Sequence, residues 1–229
     1  MGTKPDIIKH YNSVSDELIE RYRAIEESAS INECLPESGA LQHDFRPVWP
    51  EQRMVGRAFT VRARAGDNLI LHKAITMLKP NDVLVVTCDG FQESGGMWGG
   101  IMSLSAKTQG AEGMIIDGCV RDSIAVRKSG FKIWSRGLSI KRSTKITPGK
   151  INHPIVIGNV NVNPGDLIFA DNDAVVVVPK EVAEETLEKT LAREAHETEM
   201  ESIVQKDPCY SFNTNFKKAF DALGLTEEE

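Results

Sequence analysis

DGFQESGGMWGGIMSLSAKTQGAEGMIIDGCVRD, residues 89–122, is the stretch whose reading decides the fold. Just ahead of it, DVLVVTC is a short valine-rich run bounded by Asn81-Asp82 and Asp89-Gly90, the pattern of a buried strand. The loop from Ser94 to Gly100 holds four glycines, which permit a sharp turn and a close approach of backbone to a ligand. From Trp98 the spacing Trp98, Ile101, Met102, Ser105, Ala106 is helical, and it stops at Gly110. MIIDG reads as a second buried strand. The chain then delivers Arg121-Asp122 where the next helix should begin.

Two provisions for charge therefore meet at one edge of a sheet. A glycine loop opening a helix presents unpaired N–H groups and the positive end of the helix dipole, which suit an anion. Arg121 adds a planar guanidinium fitted to carboxylate or phosphate. Asp122 adds hard oxygen ligands of the kind a magnesium ion takes. The functional reading is an anionic small molecule beside a divalent cation. The structural reading is a surface ion pair with Asp122 as a helix N-cap, and composition alone leans slightly to it.

Outward from that stretch, 229 residues are enough for a sizeable core, with hydrophobic and charged fractions of 41% and 26%, ordinary for a globular chain. A net charge of −6 without any basic stripe argues against a sequence-independent grip on nucleic acid. No apolar run has the length of a membrane span or the flanks of a signal peptide. Cys34, Cys88, Cys119 and Cys209 are scattered without CxxC pairing, so a reducing cytoplasm is expected, with Cys88 and Cys119 as buried thiols.

In chain order, residues 5–28 read as helix and residues 29–52, with Pro36, Pro47 and Pro50, as a surface crossing. VGRAFTVRARA alternates as a strand, and Asp67 caps a helix NLILHKAITML. After Asp122 come a short helix SIAVRKSG, a strand FKIWSRG and an irregular polar stretch, 139–154. IVIGNVNV is a hairpin around Gly158-Asn159, and LIFAD and AVVVVP are further strands without helices between them. The expected class is α/β: a βαβαβ unit and a β-rich second half in layered sheets with helices outside. Residues 180–206 form a long charged helix with Val182, Leu187, Leu191 and Ala195 along one side. The last twenty residues or so are less periodic and are expected to fray.

GDNLILHKAI, DVLVVTCDG, WGGIMSLSAKTQGAEGMIIDGCVRD and NPGDLIFADNDAVVVVP, in that order, resemble the RraA-like family across roughly residues 50–180. That family includes regulators of ribonuclease E activity and class II 4-hydroxy-4-methyl-2-oxoglutarate aldolases, which also decarboxylate oxaloacetate. The resemblance implies a layered β/β/α fold of the swivelling-domain type, divided as a helical extension (1–50), a core (51–180) and a C-terminal helix and tail (181–229). It implies that Arg121 binds a pyruvyl carboxylate together with the N–H groups of Gly99, Gly100, Ile101 and Met102. Asp122 would be the ligand of Mg2+, Mn2+ or another divalent cation, and Arg121 and Asp122 the catalytic pair. Glu197, with Glu194 and Glu199 as rivals, would reach a neighbouring subunit's site in a trimer or hexamer.

Two departures stand out. The aldolases' acidic residue ahead of the pair falls at Gly100, and a second branch's acidic residue after it falls at Ala125. The regulator branch often lacks the metal-binding aspartate, which Asp122 supplies here. The expectation is thus a metal-dependent lyase on pyruvate-derived 2-keto acids, with no nucleic-acid or membrane partner; a regulator that binds a ribonuclease or another protein is the alternative. A dinucleotide turn at Ser94, Gly96 and Gly99 lacks its first glycine. A Schiff-base lysine would need burial that the polar surroundings of Lys73, Lys107 and Lys128 do not promise.

Overall fold

The computed structural model describes residues 5–90 and 95–225. It opens with two short helices, α1 (Asp16–Tyr22) and α2 (Ser28–Cys34), and a two-residue strand, β1 (Arg46–Pro47). Helix across 5–28 is thus found only in part. Ahead of Ser15 the chain pairs instead: Ile7 bridges Ile151, and the Val14 N–H donates to Gly165 O at 3.0 Å. Sheet contacts overrode the helical spacing there, and α1 starts where Ser15 Oγ accepts the Leu18 N–H at 3.1 Å. The crossing expected over 29–52 contains most of α2, because Ile31 has a core to enter.

The centre is parallel. β2 (Met54–Arg62), β3 (Asp82–Thr87), β4 (Gly113–Val120) and β5 (Lys132–Leu138) pair in sequence. They are joined by α3 (Leu69–Ile75), α4 (Gly100–Thr108) and α5 (Ser123–Ser129). The expected βαβαβ unit is therefore one helix and one strand longer. Every residue of β3 is buried, since Leu84 and Val86 face the helices while Val83 and Val85 face the opposite layer. A continuous apolar run follows from a strand covered on both sides.

The rest of the sheet is antiparallel. β6 (Lys150–Ile151) and β9 (Leu167–Ala170) pair with β2, and β10 (Val175–Val178) closes that edge, giving the order β1-β5-β4-β3-β2-β9-β10. The hairpin β7 (Ile155–Ile157) and β8 (Val160–Val162) forms as its alternation requires, around Asn159 at φ 66°. Its Ile155, Ile157 and Val162 pack on the sheet face opposite the helices, with Trp134 and Ile168, which makes the second β layer of the β/β/α arrangement.

A third cluster lies under α1, α2 and α6 (Ala183–Val204), where Tyr22, Ile31, Phe169 and Leu187 meet. The apolar stripe expected along α6 ends early: Leu187 is buried but Leu191 and Ala195 are exposed, and beyond about two turns the helix meets the N-terminal helical region through the polar Arg193, Glu194 and Glu197. Beyond it, a π-helical turn at Phe212–Phe216 and α7 (Lys217–Ala222) bring Phe212 edge-on to Phe220 but bury no residue. Among the described residues no helix is long and apolar enough to cross a membrane. Cys88 and Cys119 are buried and stand in no disulfide, as expected.

Candidate active site

The glycine loop reaches Arg121 because it runs as a short extra strand beside the end of β4. Met97 N–H donates to Cys119 O at 2.9 Å, and Arg121 N–H returns to Trp98 O at 2.8 Å. Trp98 is fully buried, stacks on Phe131 and donates its Nε1–H to Ser103 Oγ at 2.8 Å, which pins the first turn of α4. At Gly99 the backbone comes so close that a Cβ there would displace the Asp122 carboxylate. Ser94, part of the predicted loop and of the discounted dinucleotide turn, lies outside the described residues.

Asp122 sits at the N-cap of α5 in the left-handed region, φ 59° and ψ 39°, a conformation that aspartate adopts more readily than most residues. Its side chain makes no cap to its own helix. Oδ2 instead accepts the Gly100 N–H at 3.2 Å across the gap, with Arg121 Nε at 3.6 Å. The simple N-cap explanation of this aspartate therefore fails. Among the described residues the N–H groups of Ile101 and Met102 have no acceptor, so the start of α4 keeps free donors beside the Arg121 guanidinium.

These groups line a recess of about 550 Å³. Gly99, Ile101, Met102, Arg121 and Asp122 line it together with Gly96, whereas Gly100, expected beside them, is not among the lining residues. Lys73, Lys107 and Lys128 are not among its lining residues. His72 does line it, with Asn68 one helical turn earlier. Burial and the nearby Lys145 ammonium hold the His72 imidazole below its ordinary value. A larger hollow of about 840 Å³ lies elsewhere, but its charges are matched within it, Arg62 with Asp89 and Arg136 with Asp117.

Sequence reading missed the segment read as irregular, 139–147. It folds over the glycine loop: Gly96 N–H donates to Lys141 O and Ser143 Oγ to Gly96 O, both at 2.9 Å. Arg142, Ser143 and Lys145 thereby enter the recess lining. Asp67 holds this segment. Its Oδ2 accepts Thr144 Oγ1–H at 2.7 Å, Ile146 N–H at 2.8 Å and Thr147 N–H at 3.0 Å, while Oδ1 accepts Leu69 N–H at 3.0 Å. Burial pushes the Asp67 carboxyl up, yet those donors outweigh it and hold the group down at about 2. The residue expected only to cap α3 is also the nail for a strap. The one signal in the sequence was its charge next to a polar stretch without periodicity.

The two departures from the aldolase pattern occupy one spot. A Cβ on Gly100 would stand 2.6 Å from the Ala125 Cβ, so α4 and α5 touch where either branch would keep a carboxylate. Among the described residues Asp122 is the one acidic member of the recess lining. Among the described residues no three His, Cys, Asp or Glu side chains cluster as a metal cage. Glu197 is remote from its own chain's recess: it accepts from Ser30 Oγ at 3.3 Å and pairs with Arg193 at 2.8 Å. Glu194 accepts the Glu26 N–H, and Glu199 stands exposed near His196.

A family model described as RraA-like, Aldolase/RraA, matches residues 13–177. A Halalkalibacterium halodurans protein, provisionally assigned as a 4-hydroxy-4-methyl-2-oxoglutarate aldolase, is 34% identical over 188 residues, 82% of this chain and 89% of that one. An uncharacterized Pseudomonas syringae protein of known structure superposes with TM-score 0.77 at 27% identity, covering 86% of this chain and 92% of that one. A Thermus RNA-processing inhibitor RraA superposes with TM-score 0.62 at 26% identity, covering 68% and 93%. With more than half its length inside the matching model, and a fold shared with these structures, this chain belongs to the RraA-like family.

Proposed function

We propose that this protein is a divalent-metal-dependent carbon–carbon lyase acting on pyruvate-derived 2-keto acids, 4-hydroxy-4-methyl-2-oxoglutarate and oxaloacetate among them. One observation carries the reading: the Asp122 carboxylate is clasped to the first N–H of α4 beside Arg121 and the free N–H groups of Ile101 and Met102. The donor set suits one kind of cation. A single half-exposed carboxylate, with no cluster of His or Cys beside it among the described residues, fits a magnesium-like ion, which would keep several waters and leave positions for the substrate. When bound there, such an ion supplies Lewis acidity to the keto oxygen.

The chain's own groups then have separate tasks. Arg121 and the N–H groups of α4 neutralise and orient the carboxylate next to the keto group. Asp122 is the protein ligand of the cation, and its left-handed backbone turns the carboxylate across to α4 instead of along α5. In the aldol cleavage the C4 hydroxyl gives its proton to solvent water, the C3–C4 bond breaks with C4 leaving as a carbonyl, and the bond's electron pair passes to C3 and the keto oxygen as an enolate, later protonated at C3. Oxaloacetate, whose C4 is already a carboxylate, loses CO2 without that deprotonation and leaves the same enolate. Fixed positive groups around the keto acid stabilise that developing charge. A glutamate of a neighbouring subunit's C-terminal helix, Glu197 by the family pattern, would complete the site in a homo-oligomer.

The test is pyruvate release from both acids with Mg2+ present and after EDTA. The expected result is turnover that EDTA removes and Mg2+ restores. Turnover indifferent to EDTA overturns the metal dependence. No turnover of either acid leaves the regulator reading, which the likeness to the Thermus RNA-processing inhibitor favours.

A further inference from the structure

The arm ahead of α1 spans a hollow that the lyase mechanism does not use. It is pinned at both ends. Ile8 N–H donates to Ile151 O at 3.1 Å and Asn152 Nδ2–H to Ile8 O at 2.9 Å, while Val14 N–H donates to Gly165 O at 3.0 Å. Between those points the backbone of residues 9–13 makes no hydrogen bond among the described residues, so this stretch arches free of the sheet. Beneath it lies a hollow of about 960 Å³, lined by Asp82 at the start of β3. β3 and β4 are parallel, so this is the opposite end of the sheet from Arg121, and the two sites share no lining residue.

Three features of the lining call for different parts of one ligand. The first calls for a donor. Asn152 is 2% exposed and left-handed at φ 58°; its Nδ2–H bond to Ile8 O fixes the amide and leaves Oδ1 a buried acceptor without a donor among the described residues. The second calls for negative charge. Arg57 is matched, by Asp16 and by Asp82 at 3.3 Å, but Lys9 and Lys79 line the hollow without an ion pair among the described residues. The third calls for an apolar, flat body: Phe59, Met77 and Tyr11 line it as well. Burial and the nearby Asp82 carboxylate push the Tyr11 hydroxyl up to about 12, so it stays a donor, and it has no hydrogen-bond partner among the described residues.

We propose that this hollow binds a mononucleotide whose base carries an exocyclic amine. The base packs against Tyr11, Phe59 and Met77, its amine donates to Asn152 Oδ1, and Lys9 and Lys79 take the phosphate. The three features together select that class. Inorganic phosphate has neither the donor nor the apolar body, and a neutral ring leaves both lysines unneutralised. The volume is in the range of small-molecule pockets, roughly 300–1,000 Å³. The site is independent of the lyase reading and stands or falls without it.

The experiment is calorimetry on the full chain with AMP against IMP and CMP against UMP, pairs in which an oxygen replaces the amine at the same charge, and with inorganic phosphate. Whichever amine-bearing nucleotide binds is expected to do so about tenfold or more tighter than its oxo counterpart, because the latter leaves Asn152 Oδ1 unpaired. Phosphate alone should bind weakly. Lys9 is exposed, so Lys9→Gln leaves the fold intact; it should weaken nucleotide binding severalfold, and Lys9→Gln with Lys79→Gln about tenfold or more. Arg121→Ala, in the other site, should leave the affinity unchanged. No binding of AMP or CMP at millimolar concentration overturns the proposal. So does equal affinity for the amine and oxo forms, or for nucleotide and phosphate. Binding lost in Arg121→Ala but kept in the lysine variants overturns it too, since the nucleotide then occupies the recess. The wild-type comparison of amine and oxo forms decides the matter even where a variant fails to fold.

Discussion

The parallel half of the sheet and the antiparallel half are built from similar valine-rich strands, yet they treat their polar groups in opposite ways. Around β9 and β10 the buried carboxylates are matched. Asp166 is fully buried, but it accepts from Asn163 N–H and Lys180 N–H and pairs with the Lys180 ammonium. Asp171 accepts from Ser28, Asp173 and Ala174. At the end of β4 the described residues show the opposite: N–H groups on α4 without an acceptor, a left-handed aspartate, Arg142 and Lys145 without a carboxylate partner, and an acceptor on Asn68 without a donor. Unmet demand of that kind is tolerated where a ligand meets it. The contrast separates scaffold from site without any appeal to cavity size.

The sharpest way to break this comparison is Asp122→Ala. If the β4 edge serves chemistry, activity in the pyruvate-release assay falls by roughly a thousandfold or more. Thermal unfolding should move little: water can replace the acceptor of one exposed N–H, and alanine in the left-handed region adds only a modest backbone cost. A variant with full lyase activity would remove the metal-ligand assignment.

The converse substitution lies in the other half. Phe169 is fully buried in the cluster beneath α1, α2 and α6, and the Arg53 guanidinium lies over its ring. Phe169→Ala should cost about 3–5 kcal/mol of stability by denaturant titration, with kcat of the folded fraction unaltered. An equal loss of kcat would mean that the two halves are coupled.

Asp67→Asn probes the seam between them. Its carboxyl is depressed to about 2 in the folded chain, below an unfolded value near 3.9. The associated stability is therefore present above about pH 4 and lost as pH falls through about 2. At pH 7 the variant should be less stable by roughly 2 kcal/mol, and the two unfolding curves should converge in acid. A difference that persists at the lowest pH would show that the strap is held by something other than that charge.

Legibility followed the range of the forces involved. Where burial on both faces makes an apolar run, as in β3 and β4, the strand is visible in the residues themselves. Residues 5–15 misled for the same reason in reverse: their helical spacing is real, but pairing with Ile151 and Gly165 decided their conformation. The outer half of α6 misled too, since Leu191 and Ala195 continue the stripe on paper and find nothing to cover them among the described residues.

The sequence by itself determined the parallel strands, the hairpin, the glycine turn and the adjacency of Arg121 to Asp122, because each depends on neighbours a few positions apart. Only the tertiary structure decided that Asp122 faces α4 instead of capping α5. It alone set Gly100 against Ala125, and it alone allowed Asp67 to draw Arg142 and Lys145 into the recess. Those are contacts between segments some 20 to 80 positions apart, brought together by sheet pairing. No local periodicity encodes them, because hydrogen bonds of this kind act only after packing has fixed both partners.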